Sequence, residues 1–235
     1  MANVREMLAR LNPSTVKFDI GSGGGAPDLT PQDIAAALAM VPAGLGREVF
    51  CHLWWPDGAR LTAGKLHQEI SRHIWRQIEQ QNRRLVTLRL EVSILEDDIY
   101  SRNAVPDETR RALAAAQAKR DLAARACWPQ DARMVTRVRM AVLEEMARPN
   151  HCRACKGRGQ VLVGEATRIC PTCSGRRVLP VSNRDRARAI GRDESTYRER
   201  WRPMYEWLWG RLNDSEQAAA QDFLRALGRG LEQAA

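Results

Sequence analysis

The sequence predicts a mainly α protein: a helical body with a helical hairpin, an inserted four-cysteine ribbon and a C-terminal helix-turn-helix. Apolar residues recur three and four positions apart over long stretches, the signature of amphipathic helices. Cys152, Cys155, Cys170 and Cys173 form two Cys-x-x-Cys pairs, and directly after them two short helical patterns flank Gly191. With 235 residues, 44% of them hydrophobic, the chain can bury an ordinary core and carry a second small module. The expected division is a flexible N-terminal segment over 1–29, a helical body with a hairpin arm over 30–130, a helix plus ribbon over 131–181, and a helix-turn-helix-like region with C-terminal helices over 182–235.

Residues 21–25, Gly-Ser-Gly-Gly-Gly, cost too much backbone entropy to order without contacts and read as a linker. A hydroxyl cap at Thr30, proline at Pro31 and an acid at Asp33 then start a helix that runs to about Met40. Val49 to Trp55 is apolar enough to dock on the body, and Pro56-Asp57-Gly58 turns the chain.

From about Leu61 to Arg102 the pattern is helical throughout. Leu85, Leu88, Val92, Leu95 and Ile99 form a coiled-coil-like seam that needs a cover. Pro106-Asp107-Glu108 opens an alanine-rich helix carrying Leu113, Ala116 and Leu122 towards Trp128, and the short connection makes the two an antiparallel hairpin. That hairpin is read as an arm of the folded core, with an exposed arm for a protein partner as the alternative. A further helix from about Asp131 to Met146 places Met134, Val138, Val142 and Met146 on one side and ends before Pro149.

Each cysteine pair begins a knuckle, Cys152-Arg-Ala-Cys155-Lys-Gly157-Arg-Gly159 and Cys170-Pro-Thr-Cys173-Ser-Gly175-Arg-Arg177. A two-residue spacer lets both sulfurs reach one metal, and the glycine that follows permits the positive φ that turns amides towards thiolates. Four thiolates therefore predict one structural Zn2+, which supplies the stability so short a segment cannot draw from a core. Their formal charge of minus two with the metal bound can be offset by Arg153, Lys156, Arg158, Arg168 and Arg176. His151 is read as a surface or supporting residue, and a redox dithiol is disfavoured because a βαβ context is missing. Cys51 and Cys127, distant from the four, are read as buried free thiols.

Beyond the ribbon, Ser182 and Asp185 start a short helix in which Ala187, Ala189 and Ile190 supply a small buried face, and Gly191 is the expected stop. A second helix is expected to start with Ser195 as cap and to run through Tyr197 and Trp201. Pro203 either kinks it or opens a new helix, and Asp214 with Gln217 caps a last one ending near Gly228. Tyr197, Trp201, Tyr205, Trp207 and Trp209 recur mostly at packing intervals, so they read as core rather than as base-stacking platforms.

A formal charge of +9 favours a polyanionic partner. Arginines outnumber acids in the segment after the ribbon, which points to duplex DNA. Arg184, Arg188, Arg192, Thr196, Arg198, Glu199 and Arg202 are the candidate contacts, with arginine suited to guanine or phosphate and Glu199 to cytosine. No stretch approaches the roughly 20 apolar residues of a membrane span, and the N-terminus shows no signal peptide pattern, so a cytoplasmic location with no membrane partner is expected. His52, His67, His73 and His151 are scattered and no carboxylate pair or Ser/His/Asp arrangement declares itself, so no enzyme is expected.

Taken together, the first knuckle, the second knuckle, the short alanine/arginine helix, Thr196-Tyr197 and Pro203-Met204-Tyr205 make residues 131 to 227 resemble the late-gene antitermination protein Q family of lambdoid phages. The resemblance implies a sigma-like helix-turn-helix that binds late-promoter DNA. It further implies a protein of a bacteriophage, active in the host cytoplasm, that loads onto paused bacterial RNA polymerase at the flap and RNA exit region beside the sigma factor and suppresses termination of late genes. Nascent RNA is a further contact it leaves room for. The second knuckle departs from the family pattern at Arg177, and the hairpin between about Ile70 and Cys127 is longer than the family needs. A zinc-containing helix-turn-helix repressor, with the hairpin seam as dimer interface, is the competing reading.

Overall fold

The computed structural model describes residues 31–102, 106–163, 166–175 and 177–234. The expected N-terminal linker, the Thr30 cap and Arg176 lie outside these residues. The described chain is mainly helical, with a small two-stranded sheet. None of its helices is long and apolar enough to cross a membrane.

Helix α1 (Pro31–Met40) carries Asp33 in its first turn, as expected. Helix α2 (Leu45–Trp54) gives the Val49–Trp55 segment its conformation, and a 3-10 turn over Pro56–Gly58 follows. Helix α3 (Ala63–Tyr100) starts where the Thr62 hydroxyl accepts the Lys65 amide, and α4 (Asp107–Ala126) folds back along it. Helix α5 (Ala132–Ala147) is capped by the Asp131 carboxylate, which accepts from the Arg133 and Met134 amides. Strands β1 (Gln160–Val163) and β2 (Ala166–Ile169) pair antiparallel, with Gln160 opposite Ile169 and Val163 opposite Ala166. Helix α6 (Asn183–Ala189) begins at Ser182, whose hydroxyl accepts the Asp185 amide, and Gly191 turns the chain at φ 68°.

The rest of the chain is one helical run. A single α turn, α7 (Glu194–Thr196), passes into a π turn over Tyr197–Trp201 and then into α8 (Arg202–Ala234). The Arg202 amide bonds the Tyr197 carbonyl five residues back. This wider turn lies immediately before Pro203, whose ring would press on the Glu199 carbonyl in an α-helix and which has no N–H to give. Pro203 is therefore absorbed without ending the helix. Asp214 starts no new helix, and the run does not stop at Gly228. Leu212, Glu216, Ala219 and Phe223 are buried along the same stripe, and the Ser215 hydroxyl bonds the Arg211 carbonyl four residues back instead of capping. The cap of the second helix is Asp193 rather than Ser195. Its carboxylate accepts the Thr196 amide at 2.8 Å and the Ser195 hydroxyl at 2.7 Å. A carboxylate two residues earlier reaches the same orphan amides with a full charge at the positive helix end.

Among the described residues, two clusters form the interior of the helical body, apart from the one around the ribbon cysteines. The larger packs Val49 of α2, Leu66, Ile70, Ile74 and Ile78 of α3, Trp128, the apolar face of α5, Ala187 and Ile190, and the stripe Tyr197, Trp201, Met204, Tyr205, Leu208 and Leu212. The aromatic residues thus read correctly as core, with Trp207 and Trp209 half-buried at its edge. Trp207 meets Trp128 edge-on, the ring centroids 5.1 Å apart. The smaller cluster joins Ile34, Ala37, Leu38 and Val41 of α1 and Phe50 and Cys51 of α2 to Ala219, Phe223, Ala226 and Leu227 of α8. Helix α2 lies so close to α8 that a Cβ on Gly46 would collide with the Ser215 carbonyl oxygen.

In the arm, α4 covers the predicted seam: Val92 is fully buried, and Leu85, Leu88, Leu95 and Ile99 are half-buried. Leu113 and Ala116 face it, but Leu122 is 72% exposed. Leu113, Ala116, Arg120 and Ala123, alternating three and four, are withdrawn from solvent on the side of α4 from which Gln117 donates to Glu96 of α3, and Leu122 lies off that line. Cys51 is a buried free thiol as expected. Cys127 is only half-buried, because the chain leaves the arm there, with its sulfur 4.0 Å from the Gln81 carbonyl.

Candidate metal centre and basic face

The ribbon leaves the body after Ala147 and returns at Pro180. Its stem is held by a bridge between His151 and Val178 and by the Leu179 amide on the Asn150 carbonyl. At its base all four predicted thiols come together within 4.8 Å of one another, each buried. The Cys152 and Cys170 sulfurs lie 3.9 Å apart, and those of Cys155 and Cys173 3.7 Å apart. A tetrahedral site with metal–sulfur bonds of about 2.3 Å has edges of about 3.8 Å. Both of these sulfur–sulfur distances match such an edge, so the donor set fits one metal ion, and Val161 and Leu179 pack against it.

The two knuckles are near-copies offset by 18 residues. After Cys155, Lys156 and Gly157 take φ of 50° and 76°; after Cys173, Ser174 and Gly175 take 51° and 79°. Gly159 and Arg177 then match at φ 76° and 69°, so Arg177 holds the left-handed conformation that its glycine counterpart adopts freely. Each also serves the other half: the Gly159 carbonyl accepts the Cys170 amide at 2.9 Å, and the Arg177 carbonyl accepts the Cys152 amide at 2.8 Å. The Gly159 amide donates to the Cys155 sulfur at 3.3 Å. A Cβ on Gly159 would sit 2.8 Å from the Gly175 carbonyl oxygen.

Amide donors aimed at sulfur favour thiolate. The Cys173 and Thr172 amides hold the Cys170 thiol down to about 7, whereas desolvation pushes Cys173 up. His151 stands beside Gly157, its Nδ1 3.2 Å from where a Cβ there would be, and is not among the four ligands. Arg153, Lys156, Arg158 and Arg168 are exposed around the centre.

Helix α5, before the ribbon, and α6, after it, pack together, so the ribbon is inserted between two contacting helices. The joint is a buried polar clamp. The Arg186 guanidinium donates twice to Glu145, at 2.9 and 2.7 Å, and the Tyr205 hydroxyl donates to the same carboxylate at 2.8 Å. Arg186 also lies over the Tyr205 ring, 5.0 Å from its centroid. Burial works against the Arg186 charge, but the Glu145 carboxylate more than offsets it and raises the guanidinium pKa further; Tyr205 is pushed up by burial and by the same carboxylate. Arg137 donates to the Ile190 carbonyl and adds a second tie between α5 and the end of α6. Ala189, expected on the buried face of α6, is exposed; Arg186 takes the inward position beside Ala187 and Ile190.

Arg184, Arg188 and Arg192 are exposed and line one shallow cleft of about 480 Å³ with Asp193 and Glu194. Arg188 pairs with Asp185 at 3.3 Å; among the described residues, Arg184 and Arg192 have no carboxylate partner. Asp193 lies well below the usual carboxylate range because the Thr196 amide and Ser195 hydroxyl hold its charge. Thr196, Arg198, Glu199 and Arg202 fall outside that cleft. Thr196 is half-buried and the other three are exposed. Arg198 stands 3.8 Å from Glu194, and Arg202 is held by Glu206 at 2.8 Å. The histidines are not all scattered: His52 and His67 meet edge-on at 6.1 Å between α2 and α3, and burial lowers His67.

No family model, curated protein or solved structure matches the chain.

Proposed function

We propose that this chain is a phage transcription antitermination factor that binds late-promoter DNA, loads onto paused bacterial RNA polymerase and suppresses termination of late genes. The observation that carries the reading is the pairing of a four-thiol centre with an arginine-lined cleft on the helix that follows it. The residues that carry the family resemblance supply the rest. In this reading α6, the Gly191 turn and the start of the long helix act as a helix-turn-helix, and Zn2+ held by Cys152, Cys155, Cys170 and Cys173 keeps the ribbon folded. Zinc fits because it accepts four thiolates tetrahedrally and needs no open position for a structural role.

Arg184 and Arg192, which have no carboxylate partner among the described residues, meet phosphates first. Arg188, Arg198 and Arg202 must exchange Asp185, Glu194 and Glu206 for DNA, so their gain is smaller. The polymerase flap, the RNA exit region and the sigma factor are the protein partners of this reading. The deciding experiment is reconstituted transcription by host polymerase across a strong terminator. Readthrough is expected to rise with the protein only when the template starts at the cognate late promoter. Blocked initiation with unchanged elongation would replace this reading with a repressor.

A further inference from the structure

Helix α3 has two apolar faces, and α4 covers one of them. On the opposite side Val86 is 52%, Leu90 59% and Ile94 66% exposed. At about 100° per residue these three lie within about 40° of one line along the helix, while Leu88, Val92 and Ile99 of the seam point the other way. A large apolar stripe of this kind on a rigid helix marks a contact surface rather than ordinary surface scatter.

The stripe ends in opposite charges. Arg83 lies three residues before Val86 and Asp97 three after Ile94, so the intervals along the face read three, four, four, three about Leu90. Arg89 and Glu91 lie about 100° to either side of Leu90, at the margins of the stripe. All four charged residues are exposed. Two copies of α3 laid antiparallel about a two-fold axis at Leu90 place Val86 against Ile94 and Leu90 against Leu90. The same register puts Arg83, which Glu79 of its own helix also holds, opposite Asp97 at both ends, as an isologous contact requires. In a parallel pairing Arg83 would meet Arg83 and Asp97 would meet Asp97. A partner of uniform charge would likewise match one end of the stripe and repel the other.

We infer that the outer face of the arm is a self-association surface on which a second copy of this chain docks antiparallel about Leu90. The seam facing α4 is already filled from within the chain, so the dimer contact expected by the repressor reading falls on the other face of the same helix. The inference does not rest on DNA or polymerase binding.

A stripe of three apolar residues with a charged rim is a small interface, so the dimer dissociates on the order of micromolar concentration. The test is sedimentation equilibrium of the metal-loaded full chain over about 1–100 µM. Wild type is expected to shift from monomer to dimer, and Leu90→Glu to stay monomeric. Asp97→Arg sets arginines against each other at both ends and is expected to weaken dimerisation about tenfold or more. The exchange Arg83→Asp with Asp97→Arg restores the pairing to within about threefold. All the altered positions are exposed on a helix, and unchanged far-ultraviolet circular dichroism verifies folding. A wild-type chain that stays monomeric over the range overturns the inference. So does a dimer indifferent to Asp97→Arg, and so does an exchange variant that fails to recover the dimer.

Discussion

Replacing Glu145 by alanine is expected to destabilise the protein strongly. The side chains of Arg186 and Glu145 are 13% and 10% exposed, so the variant leaves a guanidinium in a largely dry site. Removing one partner of a buried pair costs about 3–5 kcal/mol. The Tyr205 hydroxyl is orphaned at the same time, while Glu206, 3.9 Å from Arg186 and 45% exposed, recovers little. Urea unfolding of the metal-loaded protein is the assay. At about 2–3 kcal/mol per molar urea the midpoint falls by roughly 1–2 M. Tyr205→Phe removes one bond to the carboxylate and costs about 1.5–3 kcal/mol at most. The double change Glu145→Leu with Arg186→Met removes both charges and is expected to regain most of the loss, because matched apolar residues avoid the desolvation penalty. A cost below about 1 kcal/mol for Glu145→Ala, or a double variant no better than the single, refutes the clamp as the joint between α5 and α6.

Cys155→Ser or Cys173→Ser is expected to abolish stoichiometric metal binding, measured by mass spectrometry of the native protein, and to lower DNA affinity with it. Within the ribbon, Gly159→Ala should weaken metal retention against a competing chelator, since its Cβ meets the Gly175 carbonyl. Arg177→Gly should strengthen retention by up to about 1 kcal/mol by freeing a left-handed residue. DNA affinity is expected to fall with salt, and alanine at Arg184, Arg188 or Arg192 to flatten the logarithmic slope by about 0.9 each; an unchanged slope counts against a phosphate role. Burial lifts the Cys51 thiol to about 11, so it is protonated at pH 8 and should resist iodoacetamide while half-buried Cys127 reacts. Because the folded value lies above the unfolded one, this thiol favours the folded state below about pH 9, and that contribution is lost as pH rises towards 11, which unfolding measured across that range checks.

Local chemistry was legible where one mechanism acts alone. Pro31 and Asp33 marked a helix start, Ser182 a cap and Gly191 a stop, and the two Cys-x-x-Cys pairs marked the four thiols that converge. The seam on α3 announced its hairpin because an uncovered stripe of that length needs a neighbour. Misreadings arose where two mechanisms compete. Asp214 and Gln217 look like a cap, but the buried stripe through Leu212 and Phe223 favours an unbroken helix. Asp193 and Ser195 both suit a cap, and the charged one prevails. The Glu145–Arg186–Tyr205 clamp joins residues up to 60 positions apart, and no local pattern announces such a pairing. The outer stripe from Arg83 to Asp97 was present in the spacing but overlapped the stronger seam on the same helix.

The arm also sets a length. Ile78 is the last α3 residue in the main core, and at about 1.5 Å per residue Tyr100 lies about 33 Å beyond it and Leu90 about 18 Å. Whatever the outer stripe grips is thereby kept at a fixed stand-off from the body, as by a ruler rather than a tether. Adding one heptad to each arm helix between Ile78 and Arg83, and at the matching level of α4, would carry the gripped molecule outward by about 10 Å without changing the surface that holds it.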